Sequence, residues 1–261
     1  MTRVALTIAG SDPSGGAGLQ ADLKTFHRFG VYGASVVTLL TVQNTARLDR
    51  VEPLDADFVG SQLDAVLEDL PPQTAKTGAL GSGAVVRAVA ARLARFDFPL
   101  VVDPVMSGKH GGSLLSDEGR TALVAELLPR ATIVTPNLDE AAVLAGIEVT
   151  DLASMEEAAR RIARFGAEAV LVKGGHLPGD AVDLLLWKGE IRRFTAPRIE
   201  TPGAHGTGCV YSAAITAELA LGRTLPQAIE VAKRFITAAL RSRPALGKGF
   251  GPLDLFARPE E

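Results

Sequence analysis

Val4-Ala5-Leu6-Thr7-Ile8-Ala9, running straight into Gly10-Ser11-Asp12-Pro13-Ser14-Gly15-Gly16-Ala17-Gly18, decides the class of fold. The first run is short, apolar and β-branched, which marks a strand buried on both faces; the second is a glycine-rich loop at that strand's carboxyl end. Over residues 17–29 large apolar side chains recur at Leu19, Leu23, Phe26 and Phe29, a helical spacing that Gly30 stops. The same alternation repeats along the chain. A strand is expected at 34–42, a helix at 56–70, a short strand and turn at 74–78, and a helix at 84–96 leading to a strand at 100–103. Helix 117–128 then leads to strand 132–135, and helix 155–165 to strand 169–173. Helices of this length between strands call for right-handed crossovers, so the expected fold is α/β, a mostly parallel central sheet with helices on both faces. The runs 183–187 and 191–194, separated by Lys188-Gly189-Glu190, read as a small antiparallel hairpin at one edge of that sheet. Two helices, 209–221 and 225–240, close the chain.

The 261 residues suffice for one sizeable core, and no linker, repeat or low-complexity tract divides them, so a single domain over 1–261 is expected. A net charge of −3 leaves no basic footprint for nucleic acid or an anionic membrane; a small molecule is the expected partner. Charges and glycines interrupt every apolar run before membrane-spanning length. Cys209 is the only cysteine and cannot form an internal disulfide, and Met1-Thr2-Arg3 enters the first strand without a signal-peptide cleavage pattern. The expected compartment is the cytoplasm.

In an open parallel sheet ligands bind beyond the carboxyl ends of the strands. The polar groups expected there are Gly10 to Gly18, Gln43-Asn44, Lys76-Thr77-Gly78, Asp103-Pro104, Pro136-Asn137 and Lys173-Gly174-Gly175. Gly206-Thr207-Gly208-Cys209 adds a second glycine-rich helix start, where exposed amides and a partial positive charge suit a phosphate beside the thiol. A packing turn with a buried cysteine is the plainer alternative. Gly16-Ala17-Gly18-Leu19-Gln20-Ala21 also fits the dinucleotide fingerprint, which makes a nicotinamide-dependent oxidoreductase a rival reading. Against it, the turn is long and the second strand ends in Val42-Gln43-Asn44 with no acidic residue for a ribose. No stretch fits the P-loop pattern. Among the histidines, His176 and His205 lie near the candidate anion sites, His110 lies in a glycine-rich loop, and His27 is expected on a solvated helix face. Asn137 and Glu140 fit a helix-start capping box, or alternatively a pair able to organise Mg²⁺ through water.

Taken with Gln20-Ala21-Asp22, Thr41-Val42-Gln43-Asn44-Thr45, Asp103-Pro104-Val105-Met106, Thr135-Pro136-Asn137-Leu138 and Val172-Lys173-Gly174-Gly175-His176, the two glycine-rich stretches give the chain a further meaning. In these motifs and their order it resembles the hydroxymethylpyrimidine/phosphomethylpyrimidine kinases of thiamine biosynthesis, in the ribokinase superfamily, over nearly its whole length. The resemblance implies a ribokinase-like fold and two successive ATP-dependent phosphorylations of 4-amino-5-hydroxymethyl-2-methylpyrimidine, with Mg²⁺, in a homodimer. It assigns Gln43 to the aminopyrimidine edge, with Gly10, Ala17, Asp22, Val105 and Cys209 lining the pocket. Gly206, Thr207 and Gly208 become the anion hole, Lys173 and Thr207 lie near the ATP phosphates, Asp103, Asn137 and Glu140 near the magnesium, and Cys209 takes the hydroxyl proton. At a helix N-terminus the thiol is expected to have a lowered pKa. The family pattern places methionine where this chain has Ala79, which opens room for a pyridoxine-type ring and makes a pyridoxine/pyridoxal kinase the near alternative. A catalytically silent ligand sensor is a distant one.

Overall fold

In the computed structural model, which describes residues 2–201 and 205–257, the opening apolar run forms β1 (Val4–Ser11) and its glycine loop leads into α1 (Gly18–Arg28). The chain continues through β2 (Tyr32–Gln43), β3 (Leu48–Pro53), α2 (Ala56–Asp69), β4 (Thr74–Thr77), α3 (Gly83–Leu93) and β5 (Leu100–Val102). It goes on with α4 (Asp117–Ala122), β6 (Ile133–Val134), α5 (Leu138–Ala145), α6 (Leu152–Ala163) and β7 (Ala169–Gly174). The hairpin β8 (Ala181–Trp187) and β9 (Glu190–Ala196) precedes the closing helices α7 (Thr207–Ala220) and α8 (Leu225–Arg241). The strands join one nine-stranded sheet of order β3-β2-β1-β4-β5-β6-β7-β8-β9. From β2 to β7 the pairing is parallel, while β3 at one end and β8 and β9 at the other run antiparallel.

Strand alternation separates the two faces of this sheet. Leu6 and Ile8 of β1, Val102 of β5, and Val170 and Val172 of β7 pack with α2, α3, α5 and α6. Their neighbours Val101, Ala169 and Leu171 point the other way, onto α7 and α8. The strands β5 and β6 are apolar throughout, as a parallel sheet covered on both faces favours, whereas β1 and β4 bury Thr7 and Lys76. Among the described residues no helix is long and apolar enough to cross a membrane.

The expected elements are present with small shifts at their ends, and the hairpin turns through Lys188 (φ 52°) and Gly189 (φ 80°), the paired left-handed residues that suit a two-residue connection. Two segments differ. Leu48–Pro53 carries no apolar alternation; it is mostly exposed and extends the sheet by pairing with β2, with Arg47–Asp49 and Arg50–Glu52 ion pairs along it. The single helix expected over 117–128 is α4 followed by a wide π-type turn, Leu123–Leu127, and a tight turn, Leu128–Arg130, that contains Pro129. Pro129 lacks the amide that regular continuation needs.

The chain steps from β1 to β2 on one side and later to β4 on the other, so the strand order reverses between β1 and β4. There Thr7 and Lys76 are register neighbours, and α1 supplies Asp22 above them. Asp22 accepts from Thr7 Oγ1 at 2.6 Å and from Lys76 Nζ at 2.7 Å, and all three residues are fully buried. Burial opposes the charge on Lys76, but Asp22, Cys209 and Asp103 outweigh it and hold the lysine above its ordinary value. Removing one partner strands the other charge, so Asp22→Ala is expected to cost about 3–5 kcal/mol, whereas pairing Asp22→Leu with Lys76→Met restores much of it. Urea unfolding of these two and of the single changes Asp22→Leu and Lys76→Met closes the cycle; losses that simply add in the double variant would show that the charges are not coupled.

Candidate functional site

The two glycine-rich helix starts face each other across the reversal point, and their anion-binding amides have different fates. In the first, the carboxylate of Asp12 turns back into its own loop. It accepts from the amides of Ser14 (2.9 Å), Gly16 (3.2 Å) and Ala17 (2.8 Å) and from the Ser14 hydroxyl. Burial works against that carboxylate, but hydrogen bonds from His205 and Ser14 prevail and hold its pKa below the usual range. The amides that a dinucleotide pyrophosphate would need are thus already taken, which physically removes the oxidoreductase reading of Gly16-Ala17-Gly18.

The second start has no such carboxylate among the described residues. Gly206 caps α7 in the left-handed region (φ 82°), no side chain caps the helix there, and its first turn carries no acidic residue. A Cβ on Gly206 would collide with the Gly16 carbonyl, so glycine lets the two loops touch. A Cβ on Gly208 would lie 3.1 Å from Lys173 Nζ and 3.8 Å from Asp103 Oδ2. The missing side chain leaves a cradle lined by amides at the helix end and a lysine ammonium, a combination that fits a phosphate. Pro202, Gly203 and Ala204, just ahead of His205 and this motif, lie outside the described residues.

Lys173 and Asp103, from the ends of β7 and β5, form the floor. Their separation is 3.0 Å; Ser212 donates to the other carboxylate oxygen at 3.1 Å and Thr135 to the first at 3.3 Å. Burial raises Asp103, but Lys173 and Lys76 more than offset it and leave its pKa lowered. Asn137 and Glu140 form a reciprocal capping box at the start of α5: Asn137 Oδ1 accepts from Glu140 N and Glu140 Oε2 accepts from Asn137 N, both at 2.8 Å. These bonds bear on how the expected Mg²⁺ residues Asp103, Asn137 and Glu140 could act, which is through water. Asn137 is spent on the helix, Asp103 is tied to Lys173 and Ser212, and the described residues contain no cluster of three His, Cys, Asp or Glu able to hold a metal directly. Asp103 and Glu140 remain the two carboxylates beside Lys173, the arrangement that fits an ion arriving with phosphates and held through water.

Cys209 falls in the first turn of α7, but its expected acidity is reversed. Burial, reinforced by Asp22 and Asp103, pushes the thiol up to about 12, and neither Lys76 nor the Gly18 amide compensates. The helix end contributes a fraction of a charge, too little against desolvation beside two carboxylates. The ligand-free site thus holds a thiol rather than a thiolate.

Around this floor the pocket residues take the positions their strands dictate. Gly10 faces Leu39 and Ala79, Ala79 is held by Thr38 Oγ1 donating to its carbonyl, and Val105 follows Asp103. Ala17, half-buried, precedes α1. Gln43 ends β2, and its carboxamide lies 2.9 Å from His205 Nε2. Asp22 is fully buried with both oxygens engaged by Thr7 and Lys76, so it lies beneath the other expected lining residues. Of the histidines, only His205 joins these groups closely; His27 and His176 are exposed. The C-terminal segment crosses over the loops: His205 N donates to Gly251 O, and Phe250 N donates to Thr45 O. Sequence reasoning assigned no role to Lys76, Asp12 or Ser212, although Lys76 and Asp12 stood in quoted motifs at strand ends.

A family model described as phosphomethylpyrimidine kinase matches residues 12–254. The hydroxymethylpyrimidine/phosphomethylpyrimidine kinase of Rhizobium meliloti is 48% identical over 99% of this chain and 98% of its own length. The thiamine biosynthesis bifunctional protein of Geobacter sulfurreducens is also 48% identical over 98% of this chain, which spans about half (53%) of that relative. Among solved structures, an ADP complex of Bacillus subtilis pyridoxal kinase superposes with a TM-score of 0.91 at 38% identity, covering 98% of each chain.

Burial raises Glu140 to about 7, with Asp103 adding to the rise and Lys173 opposing it. Its ordinary value is 4.5, so between about 4.5 and 7 the folded protein binds more protons than the unfolded chain and stability falls as pH rises. Glu140→Gln removes that dependence while keeping an acceptor for Asn137 N. Thermal unfolding without added metal is expected to show the variant gaining on the parent protein across that window; parallel curves would place the titration elsewhere.

Proposed function

The chain belongs to the phosphomethylpyrimidine kinase family, and from that premise we propose that it transfers the γ-phosphoryl group of ATP to 4-amino-5-hydroxymethyl-2-methylpyrimidine. The monophosphate then accepts a second group to give the diphosphate, in thiamine biosynthesis. The observation that carries this reading is the uncapped, glycine-lined start of α7 over Lys173, beside a first glycine loop already filled by Asp12.

In that pocket Gln43 reads the aminopyrimidine edge, since a carboxamide offers both a donor and an acceptor. Gly10, Ala79 and Val105 pack against the ring. The hydroxymethyl oxygen attacks phosphorus as the bond to the ADP oxygen breaks, while the amides of Gly206, Thr207 and Gly208 hold the migrating group and Lys173 neutralises its charge. Mg²⁺, when bound with the nucleotide, would screen the phosphate oxygens, with Asp103 and Glu140 as its nearest carboxylates. A loose transition state asks little of a base, so alignment and charge neutralisation supply most of the rate. Cys209 is the group placed to receive the hydroxyl proton, through the small thiolate fraction that its raised pKa allows.

Pyridoxal is the second reading, favoured by the small Ala79 side chain and by the likeness to a pyridoxal kinase. Steady-state phosphorylation of both compounds separates the two; the aminopyrimidine is expected to give the higher kcat/KM, and the reverse order overturns the substrate assignment.

Cys209→Ala is expected to keep nucleotide affinity and lose about 10²-fold or more in kcat. With a proton acceptor titrating near 12, the parent rate climbs through neutral and mildly alkaline pH. A flat profile or a fully active variant removes Cys209 from the chemistry.

A further inference from the structure

A single ring nitrogen, His205 Nε2, meets two partners. It lies 2.8 Å from Asp12 Oδ2 and 2.9 Å from the end of the Gln43 carboxamide assigned as Nε2, and both Asp12 and His205 are buried. A carboxylate only accepts, and Asp12 is held in its ionised form by the hydrogen bonds that converge on it, so Nε2 must carry the proton that points to it. The opposite nitrogen, Nδ1, is buried and finds no partner among the described residues. The proton therefore sits where an acceptor waits.

An Nε2–H cannot also accept from an amide NH₂. The two ends of an amide are told apart by their surroundings, so the end of Gln43 assigned as nitrogen is here the oxygen, and the His205 Nε2 proton is shared between it and Asp12 Oδ2. We propose that the Asp12–His205 pair is a positioning and specificity device: it pins the Gln43 oxygen and turns the NH₂ toward the pocket. The pinned oxygen keeps a second lone pair. The carboxamide then presents a donor and an acceptor in fixed order, matching a ring nitrogen that accepts beside an exocyclic amino group that donates. A ring lacking that adjacent pair, such as pyridoxal, gains only half of the contact. The glycine loop is part of the device, since a Cβ on Gly16 would press on the imidazole Cδ2 at 2.9 Å and displace it.

This inference rests on the proposed role of Gln43, and the test separates the two. Kinetics with 4-amino-5-hydroxymethyl-2-methylpyrimidine, pyridoxal and ATP are measured for Gln43→Leu, His205→Asn, Asp12→Asn and the double variant Gln43→Leu/His205→Asn. Gln43→Leu is expected to raise the pyrimidine KM by about 10-fold with the ATP KM unchanged; no change overturns the role of Gln43 itself. Given that rise, His205→Asn and Asp12→Asn are expected to narrow the preference for the pyrimidine over pyridoxal, and His205→Asn to add nothing in the Gln43→Leu background. Additive losses, or an unchanged preference, overturn the positioning role while leaving Gln43 as the reader of the ring. The ¹⁵N spectrum of the histidines in the parent protein decides independently of how the variants fold: a protonated Nε2 on His205 supports the device, and a proton on Nδ1 alone overturns it.

Discussion

The buried ion pair between Lys76 and Asp22 is the constraint on which the site depends. It lies where the strand order reverses, joins β4 to α1 through a contact at 2.7 Å, and reaches α7 through a longer bond from Lys76 Nζ to the carbonyl of Cys209 at 3.4 Å. Three elements from distant parts of the chain are thereby fixed to one charged atom in the interior. Such a pair is weak evidence of net stability, because desolvation consumes most of its attraction. Its value lies in geometry: the helix whose first turn forms the candidate anion hole cannot shift without uncovering a buried ammonium.

The fold was legible because β1, β5, β6 and β7 are largely apolar runs separated by amphipathic helices, a pattern that suits a covered parallel sheet. β3 was not, because Leu48-Asp49-Arg50-Val51-Glu52-Pro53 has the composition of a loop and becomes a strand through the open edge of β2. The site was legible as a set of strand ends but not as a network. Spacing can place Asp103 and Lys173 at the same sheet edge; it cannot say that Asp12 folds back into its own loop. Nor can it weigh the solvent removed from Cys209, where the local helix end and the global burial act in opposite directions.

The two glycine-rich helix starts show how similar sequences acquire different uses. Both expose backbone amides at the head of a helix, and an isolated motif search would assign an anion to each. One amide nest is occupied by a carboxylate of the chain itself, so it becomes a rigid wall. The other has no side-chain cap among the described residues and lies beside Lys173, which makes it the candidate phosphate site. The difference lies in Asp12, four residues ahead of Gly16, and in the histidine that the second motif sends back to it.

The strap formed by Phe250, Gly251 and Pro252 sets where the pocket can be disturbed from outside. His205 pairs with this segment, and Thr45, in the turn after β2, accepts a backbone hydrogen bond from it as well. Two loops far apart in sequence are thus tied together by a third piece of chain, so a substitution in the strap would reach His205 and the end of β2 without touching a residue of the central strands.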